Sequence, residues 1–276
     1  MNNGQAQEII IEPKGKLAGF QFREVWAYRE LLRFLVVRDI KVRYKQTALG
    51  GLWAIIQPFM NMVVFTIFFG HLAKVPSDGL PYPIFVYTAL LPWQFFSSGI
   101  GSSGNSLVAN SHLISKVYFP RMIIPAAALG AGCLDFLIAF VILILMMFYY
   151  GIYPGMGVLL FPILMVMVAV AALGVGMILA ALNVAYRDFR YVIPFLVQFW
   201  LFATPVIYPV SIVPIQWRWL VNLNPMAGLI TGIRSSLLNQ PVSWPDMMIS
   251  GAISIGLFVI GIFYFKKMER RFADII

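Results

Sequence analysis

The sequence predicts an all-α integral membrane protein: six transmembrane helices, an interfacial amphipathic helix before the first, and a re-entrant outer loop before the last. Three observations carry that expectation: an excess of apolar residues, apolar runs of bilayer length, and basic residues gathered at one set of span ends. Hydrophobic residues make up 61% of the 276 and charged residues 11%, and the mean hydropathy is +0.84. A soluble domain is roughly half apolar and a quarter charged. The chain has too little polar side chain to cover a water-exposed surface.

A helix needs about 20 mostly apolar residues to cross the roughly 30 Å of bilayer hydrocarbon. Such runs lie at Leu52–Leu72, Ile84–Ser103, Met122–Tyr150, Val158–Leu182, Val192–Tyr208 and Met247–Phe265. Hydrocarbon offers the backbone no water, and the runs lack the two-residue alternation of barrel strands, so each is read as a helix. Of the 20 Lys and Arg, all but Lys74, Arg218 and Arg234 fall on the side that holds the N-terminus. Basic residues beside spans resist translocation, so both termini are expected in the cytoplasm. The N-terminal stretch is polar, without the apolar core of a signal peptide. With the topology, this suggests a multi-pass protein of a plasma membrane.

The net charge of +9 sits in short loops beside spans, where topology and anionic headgroups account for it, so no nucleic-acid partner is expected. Membrane lipids are the partners this charge implies.

Before the first span, residues 1–51 read as a cytoplasmic segment, with the transmembrane domain over residues 52–276. Within "FQFREVWAYRELLRFLVVRDIKVRYK", Phe20 to Lys45, the apolar Val25, Tyr28, Leu32 and Leu35 recur at helical spacing. Arg23, Arg29, Glu30, Arg33 and Arg38 fall largely between them. That pattern describes a helix lying in the membrane interface, its arginines at headgroup level. It is either a simple anchor or a helix beside the entrance of a transport path. Gly50 and Gly51 then supply the corner from a helix lying flat to one crossing the bilayer. Arg38, Lys41, Arg43 and Tyr44, with this corner, are the candidate substrate entrance.

Between spans two and three, "NSHLISKVYFPRMIIP" (Asn110 to Pro125) holds a short apolar face of Leu113, Val117 and Ile114 among His112, Lys116 and Arg121, stopped by Pro120. Such a face either meets a partner or lies on headgroups. Toward the other end, Val210 to Asp246 is semi-apolar and too short for two spans and a turn, so one or two short helices dipping partway into the membrane are expected. Asp135 is the acidic residue deepest in a span. The small residues of "GAGCLDF" around it suit an interhelical hydrogen bond or a dimer contact, and no second intramembrane carboxylate or histidine offers a proton relay. Cys133 in the same stretch is expected to serve in packing, and His71 and His112 have no metal-ligand neighbours.

"RDIKVRYKQTALGGLWAIIQP" together with "NSHLISKVYFPRMIIP" resembles the permease subunit of ATP-binding-cassette exporters of bacterial polysaccharides, the family serving O-antigen, capsule and teichoic acid export. "NVAYRDFRYVIPFLVQFWLFATPVIYP" (Asn183 to Pro209) and "NLNPMAGLITGIR" (Asn222 to Arg234) are similar to two further stretches of that family, in order. The glycine at 51 departs from the proline or bulkier residue common there. The resemblance implies a half-transporter: a second copy of this chain completes the path, and two copies of a separate nucleotide-binding ATPase drive it. ATP and Mg would belong to that ATPase, with no cofactor in this chain. In agreement, the sequence has no G-x-x-x-x-G-K-[ST] phosphate cradle. The implied cargo is an undecaprenyl-linked glycan, O-antigen in the first instance.

By the same resemblance, His112, Leu113, Ile114, Lys116, Val117, Tyr118, Phe119, Pro120 and Arg121 form the element that docks on the ATPase, with Tyr186, Arg187 and Asp188 as a second contact. The Val210 to Asp246 stretch corresponds to an outer gate. Sugar rings have apolar faces that lie on aromatic rings, which makes Phe199, Trp200, Phe202 and Tyr208, with Gln198 as a hydrogen-bonding companion, candidates for the substrate path. An ion-driven carrier would show several intramembrane charges or an internal repeat, and a membrane enzyme a cluster of carboxylates, histidines or metal ligands. The sequence shows neither. An exporter of small lipids or drugs is the nearer alternative.

Overall fold

The fold, taken from a computed structural model, is described for residues 26–45 and 50–275, and within these all regular structure is helical. Helix α1 spans Arg29–Lys45. Helix α2, Trp53–Phe65, is entered through the turn Gly50–Leu52 and continued by a π-helical stretch, Thr66–Leu72. Helices α3 (Tyr82–Ala109), α4 (Ser111–Lys116) and α5 (Ile123–Tyr149) follow. Then come α6 (Leu160–Ala185), α7 (Phe189–Ala203), α8 (Ile215–Asn222), α9 (Pro225–Leu238) and α10 (Trp244–Ile275).

Among the described residues four helices are long and apolar enough to cross a membrane: Gly50–Leu72, Ile123–Tyr149, Met156–Ala185 and Trp244–Glu269. The second expected span behaves differently. Helix α3 runs from Tyr82 through "SSGIGSSGNS" to Ala109, beyond the Ser103 at which its apolar run ends. It is the packing centre, with α5, α6 and α9 against it, and Phe85, Tyr87, Phe96 and Ile100 have almost no exposed surface. The Ser and Gly residues dilute its hydropathy while allowing neighbouring backbones to approach. Ser103 donates to the Pro125 carbonyl at 2.9 Å, and Asn183 Nδ2 on α6 donates to the Gly104 carbonyl at 3.0 Å. Interhelical hydrogen bonds of this kind join spans at close packing distance.

The fifth expected span, Val192–Tyr208, is displaced: α7 begins at Phe189 and ends at Ala203. Thr204 is extended, as the residue before Pro205 is biased to be. At 15 residues α7 falls short of a bilayer crossing by itself. The following stretch resolves into two short helices of opposite character. Helix α8 exposes Trp217 and Trp219, whereas almost every residue of α9 is buried among α3, α6 and α10. Arg234, counted by sequence among the outer basic residues, is 5% exposed inside this packing. It donates to the carbonyls of Phe85, Pro205 and Val206 at 3.2, 3.3 and 3.0 Å and lies 3.6 Å from the Phe85 ring centroid. Cys133, expected in packing, is exposed on α5.

Two hydrophobic clusters hold the bundle. The larger surrounds α3. The smaller gathers Leu35 of α1, Leu107 of α3, Ile114 of α4, Phe119, Ile123 of α5 and Phe265 of α10 at the end of the bundle that carries α4. Helix α10 extends past the expected Phe265 limit to supply Phe272 to this second core.

Helices α6 and α10 touch at backbone distance. A Cβ on Gly174 would lie 2.6 Å from the Phe258 Cα and N, so only glycine fits this crossing. Gly174→Ala is expected to cost about 1–3 kcal/mol, lowering the thermal unfolding midpoint in detergent. Gly251→Ala, on the same α10 with nothing within 4 Å of its Cβ position, should leave the midpoint in place or raise it slightly.

Candidate functional site

Helix α1 takes the expected amphipathic orientation over its described part, Val25 and Arg23 lying outside the described residues. Tyr28, Leu32 and Leu35 face the bundle, while Arg29, Arg33, Lys41 and Lys45 are exposed. Its partner is α5. The two run side by side in the same direction: Val36 beside Gly130, then Arg43 and Tyr44 beside Asp135, then Gly51 near Ile138.

Asp135 is the meeting point of this side-by-side packing. Arg43 Nη1 donates to Asp135 Oδ2, and Tyr44 Oη donates to Asp135 Oδ1. Burial, reinforced by the carboxylate beside it, pushes the Tyr44 phenol up to about 12, so it stays protonated and keeps donating. The expected interhelical hydrogen bond therefore exists, and the carboxylate is joined to the polar end of α1 rather than isolated in hydrocarbon. Arg38 is also held: it pairs with Asp39 at 2.8 Å and donates through Nη2 to Asn110 Oδ1 at 2.8 Å, at the joint between α3 and α4. Of Arg38, Lys41 and Arg43, Lys41 is the one left exposed.

After Lys45 the chain passes the undescribed residues 46–49 and turns at Gly50, whose φ of +46° is strained for any residue with a side chain. The corner thus rests on Gly50 rather than on Gly51, which has ordinary contact distances around it. Above the corner opens a cavity of about 510 Å³ between α1, α2, α3, α5 and α7. Of the candidate entrance residues, Arg43, Tyr44 and Gly50 line it. The remaining polar wall was missed by sequence: Gln57 on α2, Gln94, Ser97 and Ser98 on α3, and Asp135 on α5. The one signal available was that these amides and hydroxyls interrupt runs read as spans.

The expected path residues on α7 divide by face. Gln198, Phe199 and Phe202 point away from the bundle. Trp200 turns inward, edge-on to Phe96 at 5.1 Å, and its Nε1 donates to Asn224 Oδ1 at 2.9 Å. Tyr208 is half-buried and donates to the Phe202 carbonyl at 3.3 Å. The cavity receives Val197 from this helix and none of the five.

The loop between α3 and α5 likewise has two sides. Ile114 and Phe119 are buried in the second core, with Leu113 packed against it. Arg121 reaches α10: its N–H donates to Glu269 Oε1 at 3.3 Å and its Nη1 to the Glu269 carbonyl at 2.8 Å, with the Phe272 ring centroid 5.9 Å away. Pro120 is half-buried beside them, and His112, Lys116, Val117 and Tyr118 remain exposed. Tyr186, Arg187 and Asp188, between α6 and α7, are exposed as well. No group of three or more potential metal ligands occurs among the described residues.

Helices of spanning length, an arginine-bearing helix packed along α5 and a loop rooted in the core but exposed at its tip describe a multi-helix membrane protein. The ABC-2 type transporter family profile matches residues 30–238, and the chain belongs to that family. O-antigen export system permease protein RfbA of Myxococcus xanthus is 31% identical over 258 residues, covering 91% of this chain and 97% of the relative. RfbA of Klebsiella pneumoniae is 29% identical, over 90% and 95% of the two chains. Polysialic acid transport protein KpsM of Escherichia coli is 24% identical, over 82% and 86%.

The Arg43–Asp135 pair is about one-third exposed on each side, between surface and buried pairs in worth. A double-mutant cycle of Arg43→Gln and Asp135→Asn, read by thermal unfolding, should give a coupling of about 1–3 kcal/mol. Exchanging the two residues should recover part of the stability, whereas additive single losses would show that the pair contributes nothing.

Proposed function

We propose that this chain is the transmembrane subunit of an ATP-driven exporter that carries a lipid-linked polysaccharide, O-antigen, from the cytoplasmic side across a bacterial inner membrane. The observation that carries the reading is the similarity to O-antigen export permeases over nine-tenths of the chain, with nearly the whole of each relative covered. The more distant polysialic acid transport relative favours, as a second reading, a capsule-type polysaccharide moved through the same architecture.

In this reading α3 and α7 complete six spans, α3 because its neighbours shield it and α7 because the turn to Tyr208 and helices α8 and α9 fill the remaining depth. The α8–α9 segment is the re-entrant outer element, and both termini are cytoplasmic. Residues 1–51 then form the cytoplasmic segment and residues 52–276 the permease domain. A second copy meets the outward face of α7, so that Gln198, Phe199 and Phe202 line a shared path. Two ATPase subunits, which hold the ATP and Mg, dock on His112, Lys116, Val117 and Tyr118, with Tyr186, Arg187 and Asp188 beside them. Because Ile114, Phe119 and Arg121 fasten the loop to the second core, its displacement moves α1, α5 and α10 as packed bodies. The cargo, an undecaprenyl-linked glycan, enters at the Gly50 corner, where Lys41 meets its phosphates.

The test is ATP turnover by the chain and its ATPase in nanodiscs, with and without undecaprenyl-linked glycan. Glycan should stimulate turnover, and replacing Lys116 and Tyr118 by alanine should reduce that stimulation about tenfold while the chain remains folded. Phe119→Ala should instead destabilise the chain by about 3–5 kcal/mol, as for other buried aromatics. A wild-type complex indifferent to glycan but stimulated by short-chain lipids would replace this reading with lipid export.

A further inference from the structure

The cavity at the Gly50 corner has a chemistry of its own. Its cation and its anion, Arg43 and Asp135, are bonded to each other, so the wall carries no net charge from them. What remains is amide and hydroxyl: Gln57, Gln94, Ser97 and Ser98. The Gln94 Nε2 is buried and has no hydrogen-bond partner among the described residues, and a buried donor left unpaired is unfavourable unless something fills it. Ser97 and Ser98 donate to the carbonyls of Gln94 and Phe95 at 3.1 and 3.3 Å, which leaves both hydroxyl oxygens to accept. Trp53, Phe95 and Phe136 supply flat apolar surface on the same wall. The volume lies within the roughly 300–1,000 Å³ of small-molecule sites.

A phosphate would need a cation not already committed to a carboxylate. A sugar residue needs neutral donors and acceptors around its rim and an aromatic ring under its C–H face. We propose that this cavity is a sugar subsite that receives the lipid-proximal end of the glycan, and that Asp135 makes it so by neutralising Arg43. The inference rests on the exporter reading and adds to it: the phosphates stay with Lys41 on the outer face of α1, and the first sugar enters the cavity. Gln94 is then the residue that recognises it, and Asp135 sets the selectivity through Arg43.

The experiment is equilibrium binding to the full chain with its ATPase in nanodiscs, comparing undecaprenyl diphosphate with undecaprenyl diphosphate carrying one N-acetylglucosamine. Wild type should bind the sugar-bearing lipid about tenfold more tightly. Gln94→Leu should remove that preference without weakening the sugar-free lipid, and Asp135→Asn, which leaves Arg43 uncompensated, should tighten the sugar-free diphosphate severalfold. Ser97→Ala with Ser98→Ala repeats the first arm should Gln94→Leu fail to fold. Equal loss for both lipids in Gln94→Leu, or an unaltered ratio of the two in Asp135→Asn, overturns the subsite. Wild type that binds both lipids alike also overturns it while leaving the export reading intact, and wild type that binds neither removes the export reading itself.

Discussion

A single carboxylate fixes the geometry on which the rest depends. Asp135 stands in an otherwise apolar helix, where an ionised side chain costs about 2.5–3.5 kcal/mol at the centre of a membrane span. Arg43 and Tyr44 remove most of that difficulty by bonding both of its oxygens. They can do so only if α1 lies alongside the first half of α5, and that placement decides everything attached to α1. The chain must then turn sharply at Gly50 to enter α2, and the turn leaves the cavity between the two helices and α3.

The same helix is tied to the loop between α3 and α5. Leu35 shares the second hydrophobic core with Ile114 and Phe119, and Arg38 bonds Asn110, the residue that joins α3 to α4. The loop between α3 and α5 and the helix that walls the cavity therefore belong to one packed unit. Close-packed interiors transmit displacement because they compress little. The exposed residues Lys116 and Tyr118 thus stand on the same packed unit as Arg43 and Tyr44, with no separate relay between them.

Much of this was legible in the sequence, because the signals involved are local. Apolar runs of bilayer length and the three-to-four-residue spacing of Tyr28, Leu32 and Leu35 follow from the bilayer and the helix themselves. The same holds for glycine at a corner. The unread parts depend on which neighbour a residue meets. The helix through "SSGIGSSGNS" is polar by composition and central by packing, because its small side chains are the surface against which α5 and α6 settle. Trp200 looked like a path residue because an aromatic ring suits either a channel wall or a core, and only the position of Asn224 decides between them. Arg234 looked like a loop charge because sequence does not reveal that three carbonyls and the Phe85 ring await it. Gln94, Ser97 and Ser98 lie inside the run Ile84–Ser103 without any local signal of their role, and their common wall exists only once α1 and α2 are placed.

The two ends of the bundle are built by opposite means. Around α9, Arg234 ties the backbone of α3 to that of residues 205–206, and Asn224 ties the end of α7 to the start of α9 through Trp200, Thr204 and its own helix N-terminus. These are side-chain to backbone and side-chain to side-chain bonds between adjacent segments, so local shifts there break several at once. Around α4, by contrast, the links run between whole helices: Arg38 to Asn110, Arg121 to Glu269, Arg43 to Asp135. Each can be kept while the helices it joins tilt together, or exchanged one at a time. Motion that starts at the exposed loop thus has a continuous body to move through and meets a stiff element only at the far end. An element held by the Arg234 and Asn224 clusters is therefore bound to move with the helices beneath it rather than to rearrange by itself.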